Sequence, residues 1–314
     1  MTDLHPELTR IRLLPKFSTG PRLTKLMRGA KVKPKDPGAD MTVRVINVPG
    51  PEGNPQVALR VFQPVGLAEG APALFWIHGG GMVGGSPEQD DRTNIAFAMA
   101  LGITVAAVKY RLAPENPAPA AIDDVYAGLV GFYALAGELG FDAKRVAIGG
   151  GSAGGGLAAA LAQVAHDRGE VRPVFQLLVY PMLDDRTTLR PARDFKHARV
   201  WLPKSNLFGW KSYVGEGVGG PNVPSDYAPG RREDLTGLPP AWIGVGTLDL
   251  FHDEDFDYAA RLEAAGVPVE TFEVPGAFHG FDALFPKTAV VQDWWQHQAD
   301  ALAGALGVTV ASRK

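Results

Sequence analysis

The sequence predicts an α/β fold with a mostly parallel eight-stranded sheet and helices on both faces. Short aliphatic runs alternate with Ala- and Leu-rich helical stretches, the order expected when crossover helices join parallel strands. A chain of 314 residues with 46% hydrophobic content can bury one large core of this kind. The predicted strands are 41–48, 57–63, 72–78, 103–109, 145–149, 174–180, 241–246 and 269–274.

The third predicted strand leads into a glycine loop. The run Ala73–Ile77 is followed by His78 and three consecutive glycines. Glycines after a buried strand leave backbone N–H groups open to a bound group, as an oxyanion hole for acyl transfer requires. An ordinary glycine turn is the alternative, and we expect His78 to brace the loop rather than transfer protons. The candidate donors are the N–H groups of Gly79, Gly80, Gly81 and Ala153, the last of which follows the serine described next.

The fifth predicted strand leads into a sharp turn around Ser152. The apolar run Val146–Ile148 meets a glycine cluster, and an Ala- and Leu-rich helix follows. The frame Gly150-x-Ser152-x-Gly154 is typical of a nucleophile elbow, where side chains on either side of the serine would collide with the neighbouring strand or helix. The turn also places Ser152 at a helix N-terminus, whose unpaired N–H groups can stabilise an oxyanion.

The same glycines allow a second interpretation. The frame Gly149-x-Gly151-x-x-Gly154 also matches the dinucleotide-binding fingerprint. That fingerprint normally opens its domain and has an acidic residue about 20 positions further on. Here it lies in the middle of the chain, and the first carboxylate after the next strand is Asp184, about 30 residues on. Dinucleotide binding therefore stays as the alternative function.

The last two predicted strands supply an acid and a base. Asp249 follows the strand 241–246, whereas Asp253 falls on the next helix, where acids in the first turn are common. His279 lies in a glycine-flanked loop after the strand 269–274, within reach of the serine turn. We therefore predict that Ser152, Asp249 and His279 form a catalytic triad of nucleophile, acid and base.

With these motifs in this order, the sequence resembles the hormone-sensitive-lipase branch of the α/β-hydrolases, the bacterial type IV esterases. One departure stands out, because that family usually has an acidic residue directly before the nucleophile and this chain has Gly151. The resemblance covers most of the chain. It is carried by the segments 78–86, 110–115, 150–155, 234–240 and 249–254.

The resemblance implies an α/β-hydrolase fold and a serine carboxylesterase that acts on short- to medium-chain acyl esters. Such a mechanism needs no metal and no organic cofactor. Plant gibberellin receptors, which are relatives of the family, keep the fold and bind a small ligand after losing the catalytic histidine. This chain retains His279. A non-catalytic receptor therefore remains only as a further alternative.

Residues 185–235 interrupt the alternation of strands and helices. This stretch contains many prolines and glycines, has no strand pattern and is long enough to predict a helical cap over the active site. The resemblance implies that the N-terminal segment 1–40 joins this cap, so that 41–184 and 236–314 form the core of a single catalytic domain. Of the aromatic residues in the insertion, which include Trp201, the candidates for a substrate pocket are Phe208, Trp210 and Tyr213.

Composition excludes several classes of function. A net charge of −3 gives no basic surface for nucleic acid, and the absence of cysteine excludes thiol nucleophiles, disulfides and cysteine-based zinc sites. The N-terminus has no apolar signal-peptide region, and the longest uncharged apolar stretch, 95–108, is too short to span a membrane. We expect a cytoplasmic enzyme with a small ester as its partner, and we leave a homodimer open.

Overall fold

The structure, a computed structural model, describes residues 4–29 and 32–311. Its eight strands form one sheet in the order β1-β2-β4-β3-β5-β6-β7-β8. β1 and β2 run antiparallel to their neighbours, and the pairs from β4 through β3 to β8 are parallel, which confirms a mostly parallel eight-stranded sheet. The strands are β1 (Met41–Val48), β2 (Val57–Pro64), β3 (Ala71–Ile77), β4 (Thr104–Lys109), β5 (Phe141–Gly151), β6 (Phe175–Val179), β7 (Ala241–Gly246) and β8 (Val269–Val274).

Helices cover both faces of the sheet. Along β4, Val105 and Ala107 belong to one buried cluster, and Ala106 and Val108 belong to the other. Alternate side chains of a strand point to opposite faces, so the central strands are apolar on both sides. The helices are α1 (Pro21–Gly29), α2 (Asp91–Leu101), α3 (Ala120–Ala134), α4 (Ala136–Leu139), α5 (Ala153–Arg168), α6 (Pro203–Val214), α7 (His252–Ala264), α8 (Phe281–Leu284) and α9 (Ala289–Leu306). α3, α5 and α7 pack on one face, and α2 and α9 pack on the other.

The insertion 185–235 contains α6 and several short 3-10 turns, and no strand lies in this part of the described chain. The N-terminal segment touches it, because the Thr19 backbone N–H donates to Ser205 Oγ at 2.8 Å and Lys16 Nζ donates to the Lys196 carbonyl at 2.8 Å. Of the predicted segments, residues 1–3, 30–31 and 312–314 lie outside the described residues.

The parallel strands end together at one edge of the sheet. Ile77 of β3 pairs with Gly150, Val179 of β6 pairs with Gly151, and Gly246 of β7 pairs with Val274. The loops that follow β3, β5, β7 and β8 therefore meet at the same edge. This is where ligands bind in open α/β sheets.

Candidate active site

Ser152 lies at the tip of the turn between β5 and α5, with φ 59° and ψ −121°. A non-glycine residue with this backbone is strained and persists only when its surroundings hold it. A Cβ on Gly150 would lie 2.5 Å from the Ile77 carbonyl oxygen, and one on Gly154 would lie 2.0 Å from the same atom. This confirms that glycine is needed on both sides of the serine.

The elbow keeps its backbone contacts despite the glycine that precedes the serine. The Ser152 N–H donates to the Val179 carbonyl at 2.9 Å, and the Met182 N–H donates to the Ser152 carbonyl at 3.0 Å. A Cβ on Gly151 would meet only the ring and hydroxyl of Tyr180, at 3.6 and 3.9 Å. These are ordinary van der Waals distances, so Gly151 is not required by the packing of the turn.

The structure brings Ser152, Asp249 and His279 together as a hydrogen-bonded chain. His279 Nδ1 lies 2.8 Å from Asp249 Oδ2, and His279 Nε2 lies 2.9 Å from Ser152 Oγ. A carboxylate can only accept, so Nδ1 carries the proton and Nε2 is free to accept from the serine hydroxyl. All three residues are buried, and Asp249 Oδ1 also accepts from the Phe251 N–H at 3.0 Å.

Aromatic rings surround the His279 imidazole. The centroid of the Tyr180 ring lies 4.8 Å from that of the imidazole, and the centroid of the Phe251 ring lies at 5.2 Å, both edge to face. Trp201 of the insertion is tilted against it at 6.4 Å. The rings limit the access of water to the histidine, which strengthens electrostatic interactions at the site.

The glycine loop lies directly beside the serine, since a Cβ on Gly79 would lie 3.3 Å from Ser152 Cβ. Gly80, Gly81 and Met82 all have positive φ, at 124°, 63° and 63°. Among the described residues, no group accepts a hydrogen bond from the loop N–H groups of residues 79–81. Ala153 opens α5, so its N–H has no partner within the helix. Gly79 and Ala153 therefore lie directly beside the serine, and the assignment of the loop donors to an oxyanion hole stays a prediction.

His78 braces the start of this loop, and the side-chain hydrogen bond of Ser152 is made to His279 and not to His78. Its ring stacks on Tyr110 with centroids 4.3 Å apart, and its Nδ1 lies 2.8 Å from the Gly79 carbonyl. Complete burial lowers the pKa of His78 to about 4. The imidazole is therefore neutral near pH 7, in keeping with the bracing role expected from the sequence.

A residue that the sequence did not reveal, Arg28 of α1, holds the far side of the loop. Its Nε donates to the Val83 carbonyl at 2.7 Å, and its guanidinium also donates to the Ala113 carbonyl and to Glu115. The Ala113 N–H in turn donates to the Met82 carbonyl at 3.0 Å. No local pattern could identify Arg28, because its partners lie 55 or more residues away in the chain.

Within the described part of the chain, the rings packed on the imidazole are those of Tyr180, Phe251 and Trp201, and the predicted pocket aromatics are not among them. Trp210 and Tyr213 are fully buried, with ring centroids 6.4 Å apart, and Phe208 is half-buried against the same core cluster. Their assignment to a substrate pocket stays a prediction. The aromatic side chain of the insertion that does reach the site is Trp201, which has no sequence feature that sets it apart from its neighbours.

Within the described ranges, no three His, Cys, Asp or Glu side chains are grouped so that they could hold a metal ion. The helices among these residues include none with the length and hydropathy needed to cross a bilayer.

The chain is similar to known proteins in both sequence and fold. Residues 74–283 match the family model of the α/β-hydrolase fold. Esterase LipI of Mycobacterium tuberculosis is 37% identical over 243 residues, covering 76% of this chain and 75% of LipI. The structure of a bacterial heroin esterase is 38% identical, with a TM-score of 0.89 over 96% of this chain and 98% of that one. Esterase LipW from Mycobacterium marinum is 33% identical, with a TM-score of 0.77 over 95% and 87%.

These relatives do not favour the dinucleotide-binding alternative. The family model spans both the glycine loop and the serine turn, and the resemblance found in the sequence is confirmed over most of the chain. The chain belongs to the α/β-hydrolase family, in its hormone-sensitive-lipase-like branch.

Proposed function

We propose that this protein is a serine carboxylesterase that hydrolyses small carboxylic esters through an acyl-enzyme. Its relatives are esterases, and the chain is a carboxylic ester hydrolase. The observation that carries the mechanism is the chain of hydrogen bonds from Asp249 through His279 to Ser152, at 2.8 and 2.9 Å. A nucleophile, a base and an orienting acid within hydrogen-bond reach of one another are the signature of nucleophilic catalysis.

In the first half-reaction, Ser152 Oγ attacks the ester carbonyl while His279 Nε2 takes the serine proton. Asp249 holds the imidazole in the correct tautomer and stabilises the imidazolium that forms. The imidazolium then gives its proton to the leaving alcohol. In the second half-reaction, His279 takes a proton from a water molecule that attacks the acyl-enzyme, the bond to Ser152 Oγ breaks as the acid leaves, and the imidazolium returns its proton to Ser152 Oγ.

The negative charge on the carbonyl oxygen develops beside the unpaired N–H groups. We assign its stabilisation to Gly80, Gly81 and Ala153, with Gly79 as a further donor. Their positions are held by the positive-φ turn of residues 80–82, by His78 and by Arg28, so the donors need no reorganisation when the charge appears. Removal of one such donor in other enzymes costs about 2.7–4 kcal/mol of transition-state stabilisation.

Both irregular segments contribute to a cap over this site. The insertion 185–235 places Trp201 against His279, and the N-terminal segment reaches the glycine loop through Arg28. The longest helix of the insertion is α6, with 12 residues. A cap of short elements suits a pocket for a small ester better than a broad apolar surface that docks on lipid droplets.

The nucleophile assignment is tested with Ser152→Ala. We expect this variant to fold normally and to lose esterase activity down to the residual level that binding and the oxyanion donors support. A fluorophosphonate should label the wild type once, at Ser152, as read by mass spectrometry. Labelling of another serine, or full activity of the alanine variant on p-nitrophenyl butyrate, would contradict the assignment.

The preference for acyl length is a second prediction. Each acyl methylene that the pocket desolvates adds about 0.8 kcal/mol of binding until the pocket is full. We expect kcat/KM for p-nitrophenyl esters to rise from acetate to butyrate or hexanoate, by a few-fold per methylene, and then to fall. Kinetics across the series up to palmitate check this. A preference for palmitate that increases above the substrate's solubility limit would contradict the short- to medium-chain assignment.

A further inference from the structure

We propose that Trp201 is a specificity-determining residue for the alcohol half of the ester. Its indole bounds the space in which the leaving alcohol lies and limits the size of that group. The proposal rests on the proposed esterase function. It adds to that function one residue of the insertion that would distinguish small alcohols from large ones.

The indole lies between the glycine loop and the histidine. A Cβ on Gly81 would lie 2.1 Å from Trp201 Cη2, so the six-membered ring of the indole packs directly on the backbone of the loop. The same indole is tilted over His279, with ring centroids 6.4 Å apart. Trp201 therefore borders both the proposed oxyanion site and the proposed proton donor.

The indole is fixed in this position from behind. Trp201 is 7% exposed, and its Nε1 donates to Oδ1 of the buried Asn206 at 3.2 Å. On α6, a Cβ on Gly209 would lie 3.3 Å from Trp201 Cζ2 and 2.8 Å from the Gly81 carbonyl oxygen. The space behind the ring is filled, so the ring cannot retreat towards α6 when a larger substrate enters.

The backbone that presents Trp201 is strained. The Trp201 N–H donates to the Arg199 carbonyl at 2.6 Å, which closes a three-residue turn around Val200 with φ 62°. A γ-turn with positive φ is rare, and a β-branched residue in that region is an outlier. Val200 is 40% exposed, so burial of its own side chain does not require the conformation. Strain of this kind concentrates at functional sites, and here it positions Trp201.

The geometry of the reaction points to the alcohol rather than the acyl group. The carbonyl oxygen must face the N–H groups of the glycine loop, and the leaving oxygen must face His279 Nε2 to receive a proton. The alcohol substituent therefore projects on the side that lies between His279 and the loop. That is the side that Trp201 occupies, whereas the acyl chain takes the remaining direction from the reacting carbon.

The test compares two substrate series on Trp201→Ala and Trp201→Phe. Methyl, isopropyl and tert-butyl acetate vary the alcohol, and p-nitrophenyl acetate, butyrate and hexanoate vary the acyl chain. We expect the ratio of kcat/KM for tert-butyl over methyl acetate to rise about ten-fold or more in Trp201→Ala and by less in Trp201→Phe. The ratio for hexanoate over acetate should stay within about two-fold of the wild-type value.

Trp242→Phe is the matched control, because Trp242 of β7 is a buried tryptophan whose ring packs on Phe272 and Trp294 in the core. Its alcohol ratio should equal that of the wild type. If Trp201→Ala does not fold by circular dichroism, the milder Trp201→Phe decides. An unchanged alcohol ratio in a folded Trp201 variant, or a change confined to the acyl series, overturns the proposal. A wild type that hydrolyses no ester at all would instead overturn the proposed function.

Discussion

Asp249 and Asp253 lie on either side of the start of α7, in different environments. The Asp249 carboxylate is fully buried against His279, whereas that of Asp253 is 61% exposed and pairs with Arg190 and His252. A buried carboxylate that accepts from an imidazole N–H selects the tautomer of the histidine. An exposed ion pair contributes about 0–1 kcal/mol to stability.

We therefore predict that Asp249→Asn lowers kcat by about 10⁴-fold, because the amide favours the wrong tautomer of His279. Asp253→Asn should leave kcat within a few-fold and change the unfolding free energy by less than about 1 kcal/mol. Steady-state kinetics and urea unfolding of both variants check this. Equal losses of kcat in the two variants would mean that the buried hydrogen bond is not what orients the histidine.

The three residues that the structure brings together, Ser152, Asp249 and His279, could be predicted because each has a local signal. Ser152 lies in a glycine frame, and Asp249 and His279 each follow a predicted strand. Trp201 and Arg28 could not, since their roles depend on contacts with residues far away in the chain. Packing of this kind leaves no periodicity or spacing in the sequence.

The β5–α5 turn is the element in which steric limits are sharpest. A Cβ on Gly154 would lie 2.0 Å from the carbonyl oxygen of Ile77, a backbone atom that the sheet holds in place. The corresponding contacts of a Cβ on Gly151 begin at 3.6 Å, and a Cβ on Gly304, exposed on α9, would meet no atom within 4 Å apart from the backbone of its own helix. The space available for an added methyl group therefore increases from Gly154 through Gly151 to Gly304.

We expect Gly154→Ala to lower the unfolding free energy by about 3 kcal/mol or more, because the backbone must shift to admit the methyl group. Gly151→Ala should change it by less than about 1 kcal/mol, and Gly304→Ala should raise it by about 0.5–1 kcal/mol through helix propensity. Urea unfolding measures all three. A Gly154→Ala variant as stable as Gly151→Ala would show that the turn is more pliant than its contacts indicate.

Most strands were predictable within two residues, because their apolar runs are bounded by glycine, proline or charged residues. β5 is the exception, since it begins at Phe141 and not at 145. Its first part, Asp142–Arg145, is polar and partly exposed, so it lacks the apolar run that marks the other central strands. The antiparallel direction of β1 and β2 also went unpredicted, because strand direction depends on pairing partners and not on local composition.

For the whole molecule, burial of His78 makes stability depend on pH. The folded state holds the pKa of His78 at about 4, below its ordinary value near 6.5, so the unfolded chain binds the proton more tightly. The contribution of neutral, buried His78 to the unfolding free energy is fully present above about pH 6.5, and it is lost as the pH falls towards 4. Lowering the pH from 7 to 5 therefore reduces the unfolding free energy by about 2 kcal/mol through this one residue. Asp90, whose pKa burial raises to about 7, acts with the opposite sign.

A comparison of the wild type with a His78 variant isolates the contribution of this residue from that of Asp90. Replacing His78 with Gln removes the titrating group, so the unfolding free energy of His78→Gln relative to the wild type should rise by about 2 kcal/mol when the pH is lowered from 7 to 5. Urea unfolding at the two pH values gives this difference with Asp90 common to both proteins. A difference that does not vary with pH would mean that His78 is accessible to protons in the folded state.

The contact of Arg28 with Val83 and Ala113 has a consequence for local unfolding. Chain termini usually fray at little cost and without effect on the rest of a protein. Here the guanidinium makes α1 and the glycine loop one cooperative unit, because α1 cannot detach without releasing both carbonyls. An opening that begins in α1 would therefore reach the proposed catalytic centre. The glycine loop keeps its Arg28 contacts only while α1 is docked. The population of molecules with α1 docked therefore sets an upper limit on the population whose loop is held in the active geometry.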